Sequence, residues 1–203
     1  MLKIENFELI NHSEIILIVE KLIIDTGEFA YFNGENRSGK SLLLSSLGAV
    51  YHNYHGKIYL SNKEPCDKNY HKLVRIIQNE NLIFGDLGIV ENIGFKEPDD
   101  FRADSSLIDL LVEFKLPVEK NIKCSQLSQS ELKCIELIRA YMQKPMMLII
   151  DDLDNYFDST VFDKIYNLLV KMKKQGTIII TSGKAEFNAE KQFVITEKGL
   201  IQK

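Results

Sequence analysis

The eight residues Gly34-Glu35-Asn36-Arg37-Ser38-Gly39-Lys40-Ser41 constrain this chain more than any other stretch. They satisfy G-x-x-x-x-G-K-[ST] at each fixed position. They also stand between an apolar run, Phe29-Ala30-Tyr31-Phe32, and Ser41-Leu42-Leu43-Leu44, which reads as the start of a helix. Glycines let the backbone curl so that successive N–H groups aim at one anion, and the helix N-terminus adds a partial positive charge. Lys40 is then placed to reach the β- and γ-phosphates, and Ser41 to put its hydroxyl on Mg²⁺. A buried strand feeding a helix through such a loop demands an α/β fold. It predicts that residues Gly34 to Leu42 bind a nucleoside triphosphate.

The 203 residues suffice for one well-cored domain. Apolar residues make up 45% and charged ones 27%, as in soluble globular proteins. A net charge of −4 gives no sign of a nucleic-acid or anionic-membrane surface. The longest apolar runs, such as Ile15–Val19, are too short to span a bilayer. With Glu5 and Glu8 near the start and no apolar h-region, no secretory signal is expected. Cys66, Cys124 and Cys134 are odd in number and lack metal-like spacing, which suits reduced thiols. A cytoplasmic protein is expected, serving a membrane only through a partner.

Leu2–Leu9, Ile15–Ile24, Phe29–Asn33, Gly56–Leu60 and Leu73–Ile77 read as strands. Ser106–Phe114, Glu131–Gln143 and Phe162–Met172 carry helix-period apolar residues. Met146–Ile150 and Thr177–Thr181 look like fully buried parallel strands, and Phe193–Thr196 with Leu200–Gln202 like a hairpin around Gly199. The alternation predicts a mostly parallel sheet covered on both faces, with an antiparallel β part at the N-terminus and an inserted helical block.

The order of motifs resembles the nucleotide-binding subunit of ABC transporters over essentially the whole chain. It comprises Gln78 after a strand, Glu91-Asn92-Ile93, Leu127-Ser128-Gln129-Ser130-Glu131, Arg139-Ala140, and Leu148-Ile149-Ile150-Asp151-Asp152, with Asp158 beyond. Within that family the chain is similar to the small stand-alone subunits typified by the cell-division and lipoprotein-release ATPases. The resemblance implies one ABC-type ATP-binding domain, with a core of about 1–88 and 144–203 and a helical subdomain of about 89–143. It implies that Gly34, Gly39, Lys40 and Ser41 bind phosphates and metal, and that Gln78 joins the Mg²⁺ and attacking-water site. Asp151 would hold Mg²⁺, Asp152 would stand at the catalytic glutamate position, and Ser128 would face ATP bound by an opposite subunit. ATP and Mg²⁺ are the implied ligands. The implied partners are a membrane-embedded permease-like protein and a second ATPase chain, identical or different, with no nucleic acid.

Several positions depart from the family pattern. Gln129 and Ser130 replace two glycines that would let backbone approach a phosphate. Asp152 is one methylene shorter than glutamate, and a displacement of about 1 Å can cost roughly a hundredfold in rate. Ser182 stands where a histidine is expected, and near Asn11 there is no obvious aromatic to stack on a base, His12 being a candidate substitute. Binding is therefore expected to survive better than hydrolysis. Other readings compete at some positions. Ser128-x-x-Glu131 is also a capping box. The acids at 151, 152, 154 and 158 could form a solvated turn, and Gln78 could be a plain strand end. Tyr51–His55 reads as a polar connection rather than part of a metal site. Leu82, Ile83, Phe84 and Leu87 are either core or an exposed anchor for a membrane partner. Three functions follow: an ATPase subunit powering a membrane complex, an ATP-binding switch with little turnover, or a small-molecule kinase sharing only the loop. The ordered motifs disfavour the third, and complete Mg²⁺ and phosphate ligation favours slow hydrolysis over none.

Overall fold

A computed structural model describes residues 1–78, 80–94, 105–117, 122–153, 159–183, 189–196 and 199–203. Asp154 and Asp158, and parts of the helical block, lie outside them.

Three strands form the antiparallel N-terminal sheet: β1 (Leu2–Asn11), β2 (Glu14–Ile24) and β4 (Tyr54–Leu60), in the order β2-β1-β4. The chain enters the second sheet through β3 (Phe29–Gly34) and leaves it through α1 (Lys40–Leu47). That sheet adds β5 (Val74–Ile77), β6 (Met147–Ile150), β7 (Ile178–Ser182), β8 (Lys191–Thr196) and β9 (Gly199–Gln202). Its order is β5-β6-β7-β3-β8-β9, parallel except for the closing β8–β9 pair. The remaining helices are α2 (Tyr70–Leu73), α3 (Ile89–Ile93), α4 (Ser105–Glu113), α5 (Gln129–Gln143) and α6 (Ser159–Lys174), with a 3₁₀ turn at Cys124–Gln126.

The unbroken apolar runs are explained by burial on both faces of the parallel sheet. Successive side chains of a strand point to opposite faces. On one face Phe29, Tyr31, Leu148, Ile150 and Ile179 join a core built with the helices Ile89–Ile93, Ser105–Glu113, Gln129–Gln143 and Ser159–Lys174. On the other, Ala30, Phe32, Met147, Ile149, Ile178 and Ile180 meet α1 and the antiparallel sheet, including Phe7, Leu9, Leu43 and Leu47. The phosphate loop motif lies where β3, one of the strands shared by both cores, reaches its C-terminal end.

Three local expectations are corrected. Tyr54 and His55 already pair in β4 (Leu9↔Tyr54 and Glu8↔His55), so the stretch from Tyr51 is a connection only as far as Asn53. Leu73 closes a four-residue helix, anchored by Tyr70 donating to the Leu47 carbonyl at 2.8 Å, and the strand begins at Val74, where the backbone becomes extended (φ −118, ψ 142). The buried strand beginning at Thr177 runs instead from Ile178 to Ser182, because the Thr177 amide donates back to the Met172 carbonyl at 3.1 Å and so belongs to the end of the preceding helix.

Candidate functional site

The loop from Gly34 to Gly39 is a cradle shaped by its glycines. A Cβ on Gly34 would lie 2.9 Å from both the Ile195 carbonyl oxygen and Ser38 Oγ, so only glycine lets the chain pass here. Gly39 has a left-handed backbone (φ 92) as the N-cap of α1, and no side chain caps that helix. The first N–H groups of a helix lack intrahelical partners, and here the cap residue offers them no oxygen. Lys40 folds back across the loop, its ammonium donating to the carbonyls of Gly34 (2.6 Å) and Glu35 (2.8 Å). Ser38 Oγ is shielded from solvent with no partner among the described residues. Glu35, Asn36 and Arg37 are exposed on the rim; Ser41 and Leu42 belong to the first turn of α1. A donor-lined cradle with a cation laid across it and an unsatisfied hydroxyl inside fits an anionic phosphate chain.

The other candidates arrive on neighbouring strand ends. β5 pairs with β6 through Ile77↔Ile150, and the Asp151 amide donates to the Ile77 carbonyl at 2.9 Å, which brings Gln78 beside Asp151. β7 supplies Ser182, whose strand pairs with β3 at Phe32. The Ser182 hydroxyl donates to Asp151 Oδ1 at 2.6 Å and accepts from the Asp152 amide at 2.9 Å. Asp151 is 5% exposed and Ser182 1%. The second Asp151 oxygen stands outside that bond, and a hard oxygen donor near a phosphate cradle suits Mg²⁺. Asp152 has a left-handed backbone (φ 52), a region where aspartate is enriched, so its residue type also suits the turn after β6.

Gln78 is not directed at Ser41. Its side-chain amide donates to Ser45 Oγ at 2.9 Å, one turn further along the same face of α1. Ser128 stands apart from this group. It is the N-cap of α5, accepting from the Glu131 amide at 3.3 Å while Glu131 accepts from the Ser128 amide at 2.8 Å. The capping box read from the sequence is thus formed. The Gln129 side chain accepts from the Asn81 side chain.

The lining of the cleft beside the loop carried no local signal. An open cleft of about 1080 Å³ borders the loop, lined by Ile16, Asn33, Val194, Thr196 and Lys203 besides the loop itself. His12 is exposed at the β1–β2 turn, and Ile16 is the residue of that region that lines the cleft. Asn92 is fully buried and shapes the following loop: its side chain accepts from the Phe84 amide (2.8 Å) and donates to the Phe84 and Gly88 carbonyls (both 3.0 Å). Leu82 and Phe84 are thereby held 61% and 52% exposed while Ile83 packs inward. Of this apolar stretch Ile83 therefore packs against the core, while Leu82 and Phe84 are exposed.

Comparison with known proteins places this architecture. The family model described as "ABC transporter" matches residues 20–155, and the chain belongs to that family. Among curated proteins it is 26% identical over 175 residues to the ribose import ATP-binding protein RbsA of Clostridium tetani, covering 79% of this chain and 34% of that protein. The chain thus spans about a third of the length of that relative. Among solved structures, one described as the ATP binding subunit of an ABC transporter superposes with a TM-score of 0.86 at 16% identity, covering 100% of this chain and 89% of the other. The ATP-binding cassette MJ0796, solved as a dimer bound to ADP and Pi, superposes with a TM-score of 0.81 at 21% identity, covering 100% and 98%. At these identities the superpositions establish the shared fold.

Proposed function

We propose that the chain is the ATP-binding subunit of an ABC-type membrane complex, binding Mg²⁺-ATP and hydrolysing it slowly to drive or gate a membrane partner. The observation that carries this reading is the cradle of Gly34–Ser41 with Asp151, Ser182 and Gln78 on the adjoining strand ends. The loop amides, Lys40 and Ser38 bind the phosphates. Ser41 and Asp151 hold Mg²⁺, which when bound neutralises charge on the β- and γ-phosphates. Asp152 and Gln78 orient the attacking water, and the cleft beside Ile16 takes the nucleoside. Residues 1–88 and 144–203 act as the core, and 89–143 as the helical subdomain that presents Ser128 to a second cassette, identical or related.

No helix among the described residues is long and apolar enough to cross a membrane. The proposed location is the cytoplasmic face of the membrane, with Leu82 and Phe84 as the apolar anchors for the membrane-embedded partner. Nucleic acid has no part in this reading. A second reading, a nucleotide-dependent switch with negligible turnover, is favoured by one observation. Ser182 holds Asp151 and the Asp152 amide where the family would place a histidine.

Steady-state phosphate release with Mg²⁺-ATP, with Lys40→Ala as the blank, separates the two. Turnover at least threefold above that blank is expected. A rate equal to the blank, with nucleotide still bound, would replace hydrolysis by the switch.

A further inference from the structure

Away from the phosphate cradle, two charges are sealed inside the protein. Lys133 and Glu136, three residues apart on α5, meet at 2.8 Å with side chains 2% and 3% exposed. Taking two charges out of water costs more than their attraction returns unless the remaining donors and acceptors are satisfied. Here they are satisfied by main chain from another part of the fold. The Lys133 ammonium donates to the Gln78 carbonyl and, at 3.2 Å, to that of Glu80. Glu136 accepts from the Leu82 amide at 2.6 Å, and Arg139, one helical turn beyond Glu136 at 3.9 Å, donates to the Leu82 carbonyl at 2.9 Å. Three side chains of α5 therefore grip the backbone of Gln78, Glu80 and Leu82. At the N-terminal end of the same helix, Gln129 accepts from Asn81 and Ser128 forms the cap.

A well-packed apolar pair could fill this space at equal or better stability. It could not hold the carbonyls and amide of a segment that lies outside any strand. We infer that Lys133 and Glu136 are positioning residues that join the Gln78–Leu82 segment to α5. A displacement of Gln78 then carries Ser128 with it. Gln78 faces α1, the helix that opens from the phosphate loop, through its bond to Ser45. The pair thus relays the state of the loop to the far end of α5, and this relay role rests on the nucleotide site proposed above. The mechanical link itself rests only on the hydrogen bonds.

Hydrogen–deuterium exchange on the full chain tests both parts. Lys133→Met with Glu136→Leu removes both charges of the pair together at similar volume and leaves Arg139 its bond to the Leu82 carbonyl, so folding is expected to persist. Without nucleotide, this double variant is expected to exchange at least tenfold faster over residues 80–84 while α5 stays within about twofold of wild type. Unchanged exchange over 80–84 would overturn the link. Should the double variant fail to fold, Arg139→Met is the milder probe. It is expected to keep its circular dichroism and speed exchange over 80–84 twofold to fivefold; no change would count equally against the link. With Mg²⁺-ATP, wild type is expected to change protection at both 80–84 and 129–133, and the double variant, which keeps the Asn81–Gln129 bond, to lose most of the change at 129–133. A response at 129–133 as large in the double variant as in wild type would overturn the relay. Failure of wild type to bind nucleotide would refute the proposed site, leaving the nucleotide-free arm as the test of the link.

Discussion

One hydroxyl, that of Ser182, holds two parts of the proposed site. It donates to a buried carboxylate and accepts from the amide after it, inside a strand where it is 1% exposed. A buried polar group left without its partner costs about 1–3 kcal/mol. Ser182→Ala is therefore expected to lose about 2 kcal/mol in urea unfolding and to weaken the Mg²⁺ dependence of nucleotide binding. Ser182→His is expected to lower stability and leave turnover no higher, because the serine hydroxyl is part of the packing. An increase in turnover for the histidine variant would show that its site is open after all. Asp152 has a similar double character, since its left-handed backbone suits aspartate whatever its chemistry.

At the level of elements, what could be read from the sequence was what is locally encoded. The strands Phe29–Gly34, Met147–Ile150 and Ile178–Ser182 announce themselves through the short apolar runs Phe29–Phe32, Met147–Ile150 and Ile178–Ile180, because both faces are buried. The phosphate loop is equally local: its glycines, lysine and serine are contiguous, and so is the Ser128–Glu131 capping box. The Lys133 clamp escaped notice because its partners lie more than fifty residues away. A lysine and a glutamate within an otherwise apolar helix face were the available hint. The early start of β4 was hidden by a bulge. Pairing with β1 skips between Glu5 and Glu8, Asn6 has φ 47, and Gly56 has φ 92. A Cβ on Gly56 would lie 2.1 Å from the Asn6 carbonyl oxygen. Gly56→Ala is expected to destabilise by about 2–4 kcal/mol through this clash and its positive φ, read by thermal unfolding. A melting temperature within a degree of wild type would refute the tight approach. Ser128→Ala, by contrast, is expected to cost only about 1 kcal/mol, the value of a lost N-cap, and to leave nucleotide affinity of the isolated chain unchanged. A loss of affinity in the monomer would place Ser128 nearer the phosphates than the cap geometry allows.

For the whole molecule, the two cores divide the labour. One seats α1 and its loop against the antiparallel sheet; the other binds the helical block and the Gln78 segment to the same central strands. The strand ends carrying Gln78, Asp151 and Ser182 lie together because parallel pairing aligns them, which no single stretch of sequence reveals. The central claim is that this junction binds Mg²⁺-nucleotide through the loop. Calorimetric titration of ATP into the wild-type chain and into Lys40→Ala, with and without Mg²⁺, tests it most directly. The expected result is saturable binding by wild type, tighter with Mg²⁺ and weakened at least tenfold by the substitution, about 1.4 kcal/mol. Equal affinity in the two proteins, or none in wild type, would contradict the account.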